Sequence, residues 1–135
     1  MKKIFFKCLY FTPSVIYAYL IYYFSAINKP QIFKPPFPHF DKLLHFAEYF
    51  FFAAVLNFSY SRVFNTISKI KILICIMLTI AIYGALDEWH QSFFIYRSAD
   101  IIDYLFDVLG GSAMCGILYF FEMKKMEDGK IRKDN

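Results

Sequence analysis

Charged residues are scarce in this chain of 135 residues, because Asp, Glu, Lys and Arg together make up only 19% of it. Hydrophobic residues make up 59%, including 18 Phe and 11 Tyr, and the mean hydropathy is +0.41. A soluble domain of this length would need a more polar surface. The composition therefore excludes an ordinary soluble domain and indicates one small membrane domain.

The chain also lacks the short motifs that mark several classes of site. Its cysteines, Cys8, Cys75 and Cys115, lie in different apolar stretches without a CxxC pair, which argues against a disulfide framework or a structural zinc site. It has no HExxH motif and no nucleophile motif. The net charge of +4 comes from basic residues scattered in short loops and tails, which indicate contact with anionic lipid and not with nucleic acid.

Four apolar segments are candidates for membrane-spanning helices. Cys8 to Ile27 contains no charged residue, and we expect it to be retained as a first span because it is too long for the apolar region of a signal peptide. The other three are expected at about Asp41 to Tyr60, Ile70 to Gln91 and Asp100 to Phe121. The sequence therefore predicts an all-α polytopic bundle of four transmembrane helices.

The distribution of Lys and Arg predicts how this bundle is oriented. Eleven basic residues lie at the amino end, between the second and third segments, and after the fourth, whereas only Lys29, Lys34, Lys42 and Arg97 lie on the opposite side. Because basic loops stay in the cytoplasm, both termini are predicted there (N-in/C-in). We expect residues 1–121 to form the membrane domain and the charged residues 122–135 a cytoplasmic tail.

Most acidic residues and all three histidines lie in or beside the ends that would face outward. The acidic residues in question are Asp41, Glu48, Asp87, Glu88, Asp100, Asp103 and Asp107. A carboxylate at the centre of a bilayer costs about 2.5–3.5 kcal/mol on insertion scales, so such residues rarely lie there without a function. The sequence predicts an ionisable cluster at the outer face, in which at least one carboxylate holds a proton or a cation.

The second segment carries Asp41, His45 and Glu48 at helical spacings i, i+4 and i+7, which place them on one face. In the simpler interpretation Asp41 is the N-cap and Lys42 extends to the membrane interface, whereas in the other both belong to the polar network. The simpler interpretation does not account for Glu48, two turns into the helix. His45 and Glu48 are therefore candidate functional residues or members of a buried polar network.

The third segment ends in a second polar group, formed by Asp87, Glu88, His90 and Gln91. Glu88 shares a helical face with Gln91 and Gly84, and the small residue permits close approach of another helix. Asp87 and His90 point away from that face, so solvation and participation in a network both remain open for them.

The fourth segment begins with Asp100, Asp103 and Asp107 at i, i+3 and i+7, followed one turn deeper by Gly110. This spacing predicts a packing face that carries carboxylates at its outer end, and Asp107 must turn to the bundle interior because lipid offers it no partner. Arg97, in the preceding loop, is the cation expected beside these carboxylates.

Three sequence blocks, in order and with matching spacing, resemble the signatures of the VanZ-like family. They are Asp41-Lys42-Leu43-Leu44-His45-Phe46 with Glu48-Tyr49, then Tyr83-Gly84-Ala85-Leu86-Asp87-Glu88-Trp89-His90-Gln91-Ser92-Phe93, then Arg97-Ser98 with Asp103, Asp107 and Gly110. Before the arginine, where the family commonly has Pro-Gly, this chain has Ile95-Tyr96. The resemblance implies a multi-pass protein of the bacterial cytoplasmic membrane. Through the founding member, it also implies a role like low-level resistance to teicoplanin, a glycopeptide antibiotic.

Two functions from different classes are compatible with these residues. In the first, a non-catalytic membrane protein binds a cell-envelope precursor or a glycopeptide, with Arg97 paired to Asp100 or Asp103 and His45 paired to Glu88. The outward side carries seven carboxylates and four basic residues, so an unpaired anionic group there would attract a proton, a cation or a ligand's amine.

In the second, an outer-face enzyme acts on a lipid or a lipid-linked head group. His45 would be its general acid or base, with Glu48 and Glu88 orienting it or binding a metal, and Arg97 would hold a phosphate or carboxylate. A divalent ion is one possible cofactor, because the following residues are all suitable ligands: His45, Glu48, Glu88, Asp103 and Asp107. The residue pattern leaves the cofactor open.

Overall fold

The computed structural model of the chain describes residues 7–26, 36–94 and 99–131, which fold into helices without strands. We number the helices α1 (Thr12–Ala26), α2 (Phe40–Val63), α3 (Lys69–Gln91) and α4 (Ile101–Ile131). The last three confirm the second, third and fourth apolar segments. Helix α4 continues beyond the apolar segment, so the part of the charged tail from Glu122 to Ile131 is also helical.

The first helix is shorter than the apolar segment that contains it. A turn closed by two hydrogen bonds, from Tyr10 N–H to the Lys7 carbonyl and from Phe11 N–H to the Cys8 carbonyl, precedes α1. The helix then has 15 residues, which at 1.5 Å per residue reach about 22 Å. Pro13 lies in its first turn, where the missing N–H costs no helical hydrogen bond, so it starts the helix and does not kink it.

Two of the described helices, α3 and the part of α4 from Ile101 to Gly129, are long and apolar enough to cross a membrane by length and composition. Large apolar side chains are exposed along their outer faces, among them Ile74, Leu78, Ile82, Leu105, Leu109 and Phe120. A continuous apolar exterior of this kind is unfavourable in water and suits a lipid environment.

The helices run alternately up and down, and α2 and α4 form the most extensive of the contacts between helices. The core between them consists mainly of aromatic and branched aliphatic side chains, including Tyr49, Phe52, Leu56, Ile76 and Ile80. Helix α1 packs on this group from one side, where the ring of Tyr17 stacks on Phe52 at 5.6 Å. The core thus fills the middle of the bundle and leaves polar groups at its ends.

Glycines set the distance at which α4 approaches its neighbours. A Cβ atom added at Gly110 would overlap the backbone carbonyl of Phe46 in α2, and one at Gly111 would lie 2.8 Å from a methyl of Ile80 in α3. A Cβ at Gly84 would lie 3.2 Å from Oδ2 of Asp107. The absence of a side chain at Gly110 and Gly111 permits this approach, which brings the polar residues of α2, α3 and α4 together.

The two ends of the bundle differ in charge. We call the end where α2 and α4 begin and α3 ends the acidic end, and the opposite end the basic end. At the basic end, Lys7 Nζ donates to the Val63 carbonyl at 3.0 Å, Lys69 Nζ donates to Asn57 Oδ1 at 2.5 Å, and the Arg62 guanidinium lies 5.5 Å from the Phe58 ring centre. The polar residues singled out in the sequence lie at the acidic end wherever the structure describes them.

Candidate functional site

Lys42 is the central cation of the acidic end. Its Nζ donates to Asp100 Oδ2 and Asp103 Oδ1, each at 2.6 Å, and lies 3.2 Å from Asp41 Oδ2. Its side chain is only 11% exposed. These contacts support the interpretation of Lys42 as a member of the polar network, because its position on the inner face of α2 directs the ammonium group at α4.

Lys42 pairs with Asp100 and Asp103, the two carboxylates that the sequence analysis offers as partners of Arg97. The hydrogen bond from the Lys42 ammonium holds the pKa of Asp100, which precedes α4, below its usual range. Arg97 itself, like Ile95 and Tyr96, lies outside the described residues, so its expected pairing with Asp100 or Asp103 stays a prediction.

His45 is buried one turn deeper than Lys42 and bonds to α4. Its Nδ1 lies 2.9 Å from Asp107 Oδ1, and its Nε2 lies 3.9 Å from Asp103 Oδ2. Asp107 is fully buried, as its place on an inward face requires. The sequence suggests Glu88 as the partner of His45, and the structure adds Asp107 as a directly bonded one.

The end of α3 supplies two buried carboxylates. Glu88 Oε2 accepts a hydrogen bond from the backbone N–H of Asp100 at 2.8 Å, which ties α3 to the start of α4. Asp87 Oδ2 accepts a hydrogen bond from Gln91 Nε2 at 3.0 Å. Asp87 is 6% exposed, so of the alternatives left open for it, solvation is wrong and participation in the network is correct.

His90 lies toward α1 instead. Its half-buried ring stacks on Tyr22 with a centre-to-centre distance of 4.2 Å, and it contacts Phe94 edge-on at 5.0 Å. A ring held between two aromatic side chains fixes the end of α3 against α1. This contact gives His90 a packing role beside the carboxylates.

Three other residues singled out in the sequence lie at the margin of the site. Asp41 is not the N-cap, because α2 begins at Phe40 after His39, whose left-handed backbone (φ 64°) makes no side-chain cap. The Asp41 side chain is exposed and pairs with Lys42. Glu48 is half-buried, and its backbone carbonyl accepts a hydrogen bond from the Tyr17 hydroxyl at 3.1 Å. Gly110 is a point of close helix contact.

Four buried residues from three helices bring metal-ligating atoms together: His45, Asp87, Glu88 and Asp107. Each offers one ligand atom, and these atoms all lie within 4.8 Å of one another. Within the described ranges, neither Glu88 Oε1 nor Asp107 Oδ2 has a hydrogen-bond partner. A buried polar atom without a partner costs about 1–3 kcal/mol. The centre of the acidic end therefore has coordination capacity that the described part of the protein does not use.

Tyr49 is a residue of this site that the sequence interpretation did not single out. It is fully buried, and its hydroxyl has no hydrogen-bond partner among the described residues. A signal for it exists, because it follows His45 by four residues and therefore lies on the same helical face. No comparable signal marks Tyr22, one of several tyrosines in an apolar run.

Comparison with known proteins identifies the family of the chain. The sequence model of the VanZ/LLP1 family matches residues 2–122, a range that includes the helices carrying the acidic end. Comparisons with curated proteins and with solved structures give no match. Since the family match extends over most of the sequence and agrees with the apolar helices, the chain belongs to the VanZ/LLP1 family of membrane proteins.

Proposed function

We propose that this chain spans the bacterial cytoplasmic membrane four times, with both termini in the cytoplasm, and that its acidic end binds a cell-envelope component at the outer face. The component would carry a cationic group such as an amine, as a glycopeptide antibiotic or a cell-envelope precursor does. One observation carries the proposal: an excess of carboxylates is gathered at one end of an apolar bundle, and Lys42 is their one ammonium partner among the described residues.

The arrangement of charge supports the outward direction of this end. Lys7, Arg62 and Lys69 lie at the opposite end, and basic residues near the ends of spans are retained in the cytoplasm. Lys124 and Lys125 lie toward that end as well, because α4 runs from the acidic to the basic end. If the acidic end faced the cytoplasm, the basic residues at the opposite end would lie outside the cell, contrary to this rule.

The rim of the acidic end has the chemistry needed for a cationic ligand. The side chain of Asp41 is 54% exposed and that of Asp100 is 35% exposed, while the deeper carboxylates are buried. An amine that reaches the rim can pair with these two carboxylates without being fully desolvated, which keeps the energetic penalty small. The buried carboxylates behind them add a negative potential that attracts the cation.

The topology is tested by cysteine labelling in a background without the three native cysteines. With a membrane-impermeant reagent applied to intact cells, a cysteine at Gln31 or Tyr96 should be modified, and a cysteine at Ser61 or Gly129 should not. After permeabilisation, all four should react. The reverse pattern in intact cells would overturn the outward orientation.

The binding role is tested by susceptibility to teicoplanin in a sensitive host that expresses the chain. His45→Ala, Glu88→Gln and Arg97→Ala should each abolish any protection given by the wild type. Asp128→Ala and Lys124→Ala, on the exposed far part of α4, should retain it. If wild type gives no protection while binding of a labelled glycopeptide or precursor by purified protein is also absent, the proposal fails.

A second function, an outer-face enzyme that acts on a lipid-linked head group, is favoured by the His45–Asp107 pair. A carboxylate that bonds one imidazole nitrogen orients the ring as a general acid or base. The two functions differ in the effect of His45→Ala. If the protein is an enzyme, wild type should form product from the head group, and His45→Ala should still bind the head group but form no product. If it is a binding protein, neither wild type nor His45→Ala should form product.

A further inference from the structure

Two of the four residues at the centre of the acidic end, Asp107 and Glu88, are each held through one carboxylate oxygen and leave the other without a hydrogen-bond partner in the described ranges. Asp107 Oδ1 bonds to His45 Nδ1 at 2.9 Å, while Oδ2 has no hydrogen-bond partner in the described ranges. Glu88 Oε2 accepts the backbone N–H of Asp100 at 2.8 Å, while Oε1 likewise has none. Each carboxylate is thus fixed through one oxygen and retains the other.

These retained oxygens are well shielded from solvent. Glu88 is 7% exposed and Asp107 is 0% exposed, and the atoms Glu88 Oε1 and Asp107 Oδ2 are themselves buried. Asp107 Oδ2 points at α3, since a Cβ added at Gly84 would lie 3.2 Å from it. Glycine at that position keeps the space between the carboxylates of α3 and α4 open.

His45 lies among these carboxylates, with Nδ1 2.9 Å from Asp107 Oδ1 and Nε2 3.9 Å from Asp103 Oδ2. A neutral imidazole is the commonest side-chain ligand for a metal ion. Lys42, whose ammonium group lies at this end in the described part of the chain, is already bonded to Asp100 and Asp103. It therefore does not neutralise the deeper carboxylates.

From this geometry we propose that His45, Asp87, Glu88 and Asp107 bind one divalent metal ion. Three carboxylates and one imidazole suit hard to borderline ions such as Mn²⁺, Fe²⁺ or Zn²⁺. The four ligand atoms all lie within 4.8 Å of one another, so they move closer together when an ion with bonds of about 2.0–2.2 Å binds between them. The ion draws together α2, α3 and α4 and offsets the charge of its ligands.

This inference deepens the proposed function and rests on it in one respect, since the ion would lie directly behind the rim that receives the ligand. Its test measures metal and not binding of an envelope component or antibiotic. A protein that contains the metal but gives no protection would contradict the proposed function alone, and a protective protein without metal would contradict this inference alone.

The experiment uses the full chain, purified in detergent through an affinity tag without histidines, and determines its metal content by mass spectrometry after incubation with Mn²⁺ or Zn²⁺ and desalting. We expect about one ion per chain, and a chelator should lower the melting temperature while the returned ion restores it. Folded wild-type protein that holds less than about one ion per ten chains, with a melting temperature unchanged by chelator and by either ion, would overturn the proposal.

Matched acid-to-amide variants assign the ligands. Asp107→Asn and Glu88→Gln should lower the affinity for the ion at least tenfold and remove its effect on the melting temperature. Asp100→Asn changes a carboxylate of the same end that is outside the four, and keeps the backbone N–H that Glu88 accepts, so it should bind like wild type. Circular dichroism and gel filtration establish that each variant is folded. Equal metal binding by all folded variants would contradict the assignment.

Discussion

At the basic end of the bundle, Lys7 and Lys69 donate to a backbone carbonyl and an amide oxygen, whereas at the acidic end Lys42 is enclosed by three carboxylates. The lysines at the basic end bond to neutral acceptors, so removing one of them would leave only neutral groups unpaired. Removal of the buried Lys42 ammonium at the acidic end would leave charged groups unpaired. The same residue type thus makes an anchor at one end and part of a buried ionic network at the other.

The comparison also shows how buried polar contacts depend on position in the bundle. Near the basic end, the hydroxyls of Ser14 and Ser59 bond each other at 2.7 Å within the core, and neither carries a charge. Near the acidic end, His45 and Asp107 form the equivalent contact between ionisable groups. Neutral pairs are satisfied by a single partner, whereas ionisable groups in a nonpolar surrounding need charge balance as well.

The largest effect is expected from Lys42→Met. It leaves Asp100 and Asp103 without their cation, and breaking a buried ion pair from one side typically costs about 3–5 kcal/mol of the free energy of unfolding. Arg62→Met, at the basic end, removes an exposed contact with an aromatic ring and should cost no more than about 1 kcal/mol. Unfolding by denaturant in detergent micelles measures both. Similar losses for the two variants would mean that the two ends do not differ in this way.

A second comparison uses two glycines of the same helix. Gly110→Ala places a methyl group against the Phe46 carbonyl and 3.1 Å from the Phe50 backbone nitrogen, and since backbone atoms cannot move aside, α2 and α4 must separate, at about 1–3 kcal/mol. Gly116→Ala meets nothing within 4 Å and should stabilise the helix by about 0.5–1 kcal/mol. If both substitutions change the free energy of unfolding in the same direction, the close approach of α2 and α4 at Gly110 is not what holds α4 at the acidic end.

The helices could be predicted from the sequence wherever charges bracket an apolar run. Asp41 and Arg62 bracket α2, and Lys71 and Asp87 bracket most of α3, so the predicted and observed segments agree. The start of α1 could not be predicted in the same way, because the residues before and after Thr12 are equally apolar. There the hydrogen-bonded turn and the proline decide where the helix begins, and hydropathy does not record either.

The sequence predicted which residues belong to the site better than it predicted the contacts between them. The spacing of Asp41, His45 and Glu48 indicated one face of α2, but the buried face runs through Lys42, His45 and Tyr49. Both sets fit a helical period, and only packing against α4 separates them. Continuity with the core distinguishes the two sets. Phe52 follows Tyr49 by three residues on the same helical face and is itself buried.

A smaller effect is expected for the neutral contact near the basic end. Ser59→Ala removes the hydroxyl that bonds to the Ser14 hydroxyl. Because Ser14 Oγ also lies 3.4 Å from the Val55 carbonyl oxygen, the free energy of unfolding should fall by only about 1 kcal/mol. Ser112→Ala, at an exposed position, should change stability by no more than about 0.5 kcal/mol. A loss for Ser59→Ala as large as that for Lys42→Met would remove the distinction between neutral and ionic contacts.

The smallest expected effect is a dependence on pH at the acidic end. The hydrogen bond from Lys42 lowers the pKa of Asp100 in the folded protein, so this carboxylate binds a proton less readily there than in the unfolded chain. Its contribution to stability is then present above the unfolded pKa of about 3.9 and is lost as the pH falls through the lower folded value.

Asp100→Asn should therefore lower the melting temperature at pH 6, and its difference from wild type should shrink steadily toward pH 2.5. The measurement is a thermal unfolding series in detergent, with Asp128→Asn on the exposed far part of α4 as the control that should follow wild type throughout. A difference between Asp100→Asn and wild type that stays constant over this range would mean that the carboxylate acts through its shape at the start of α4. In that case its charge, and the ion pair with Lys42, would contribute nothing measurable to the stability of the acidic end.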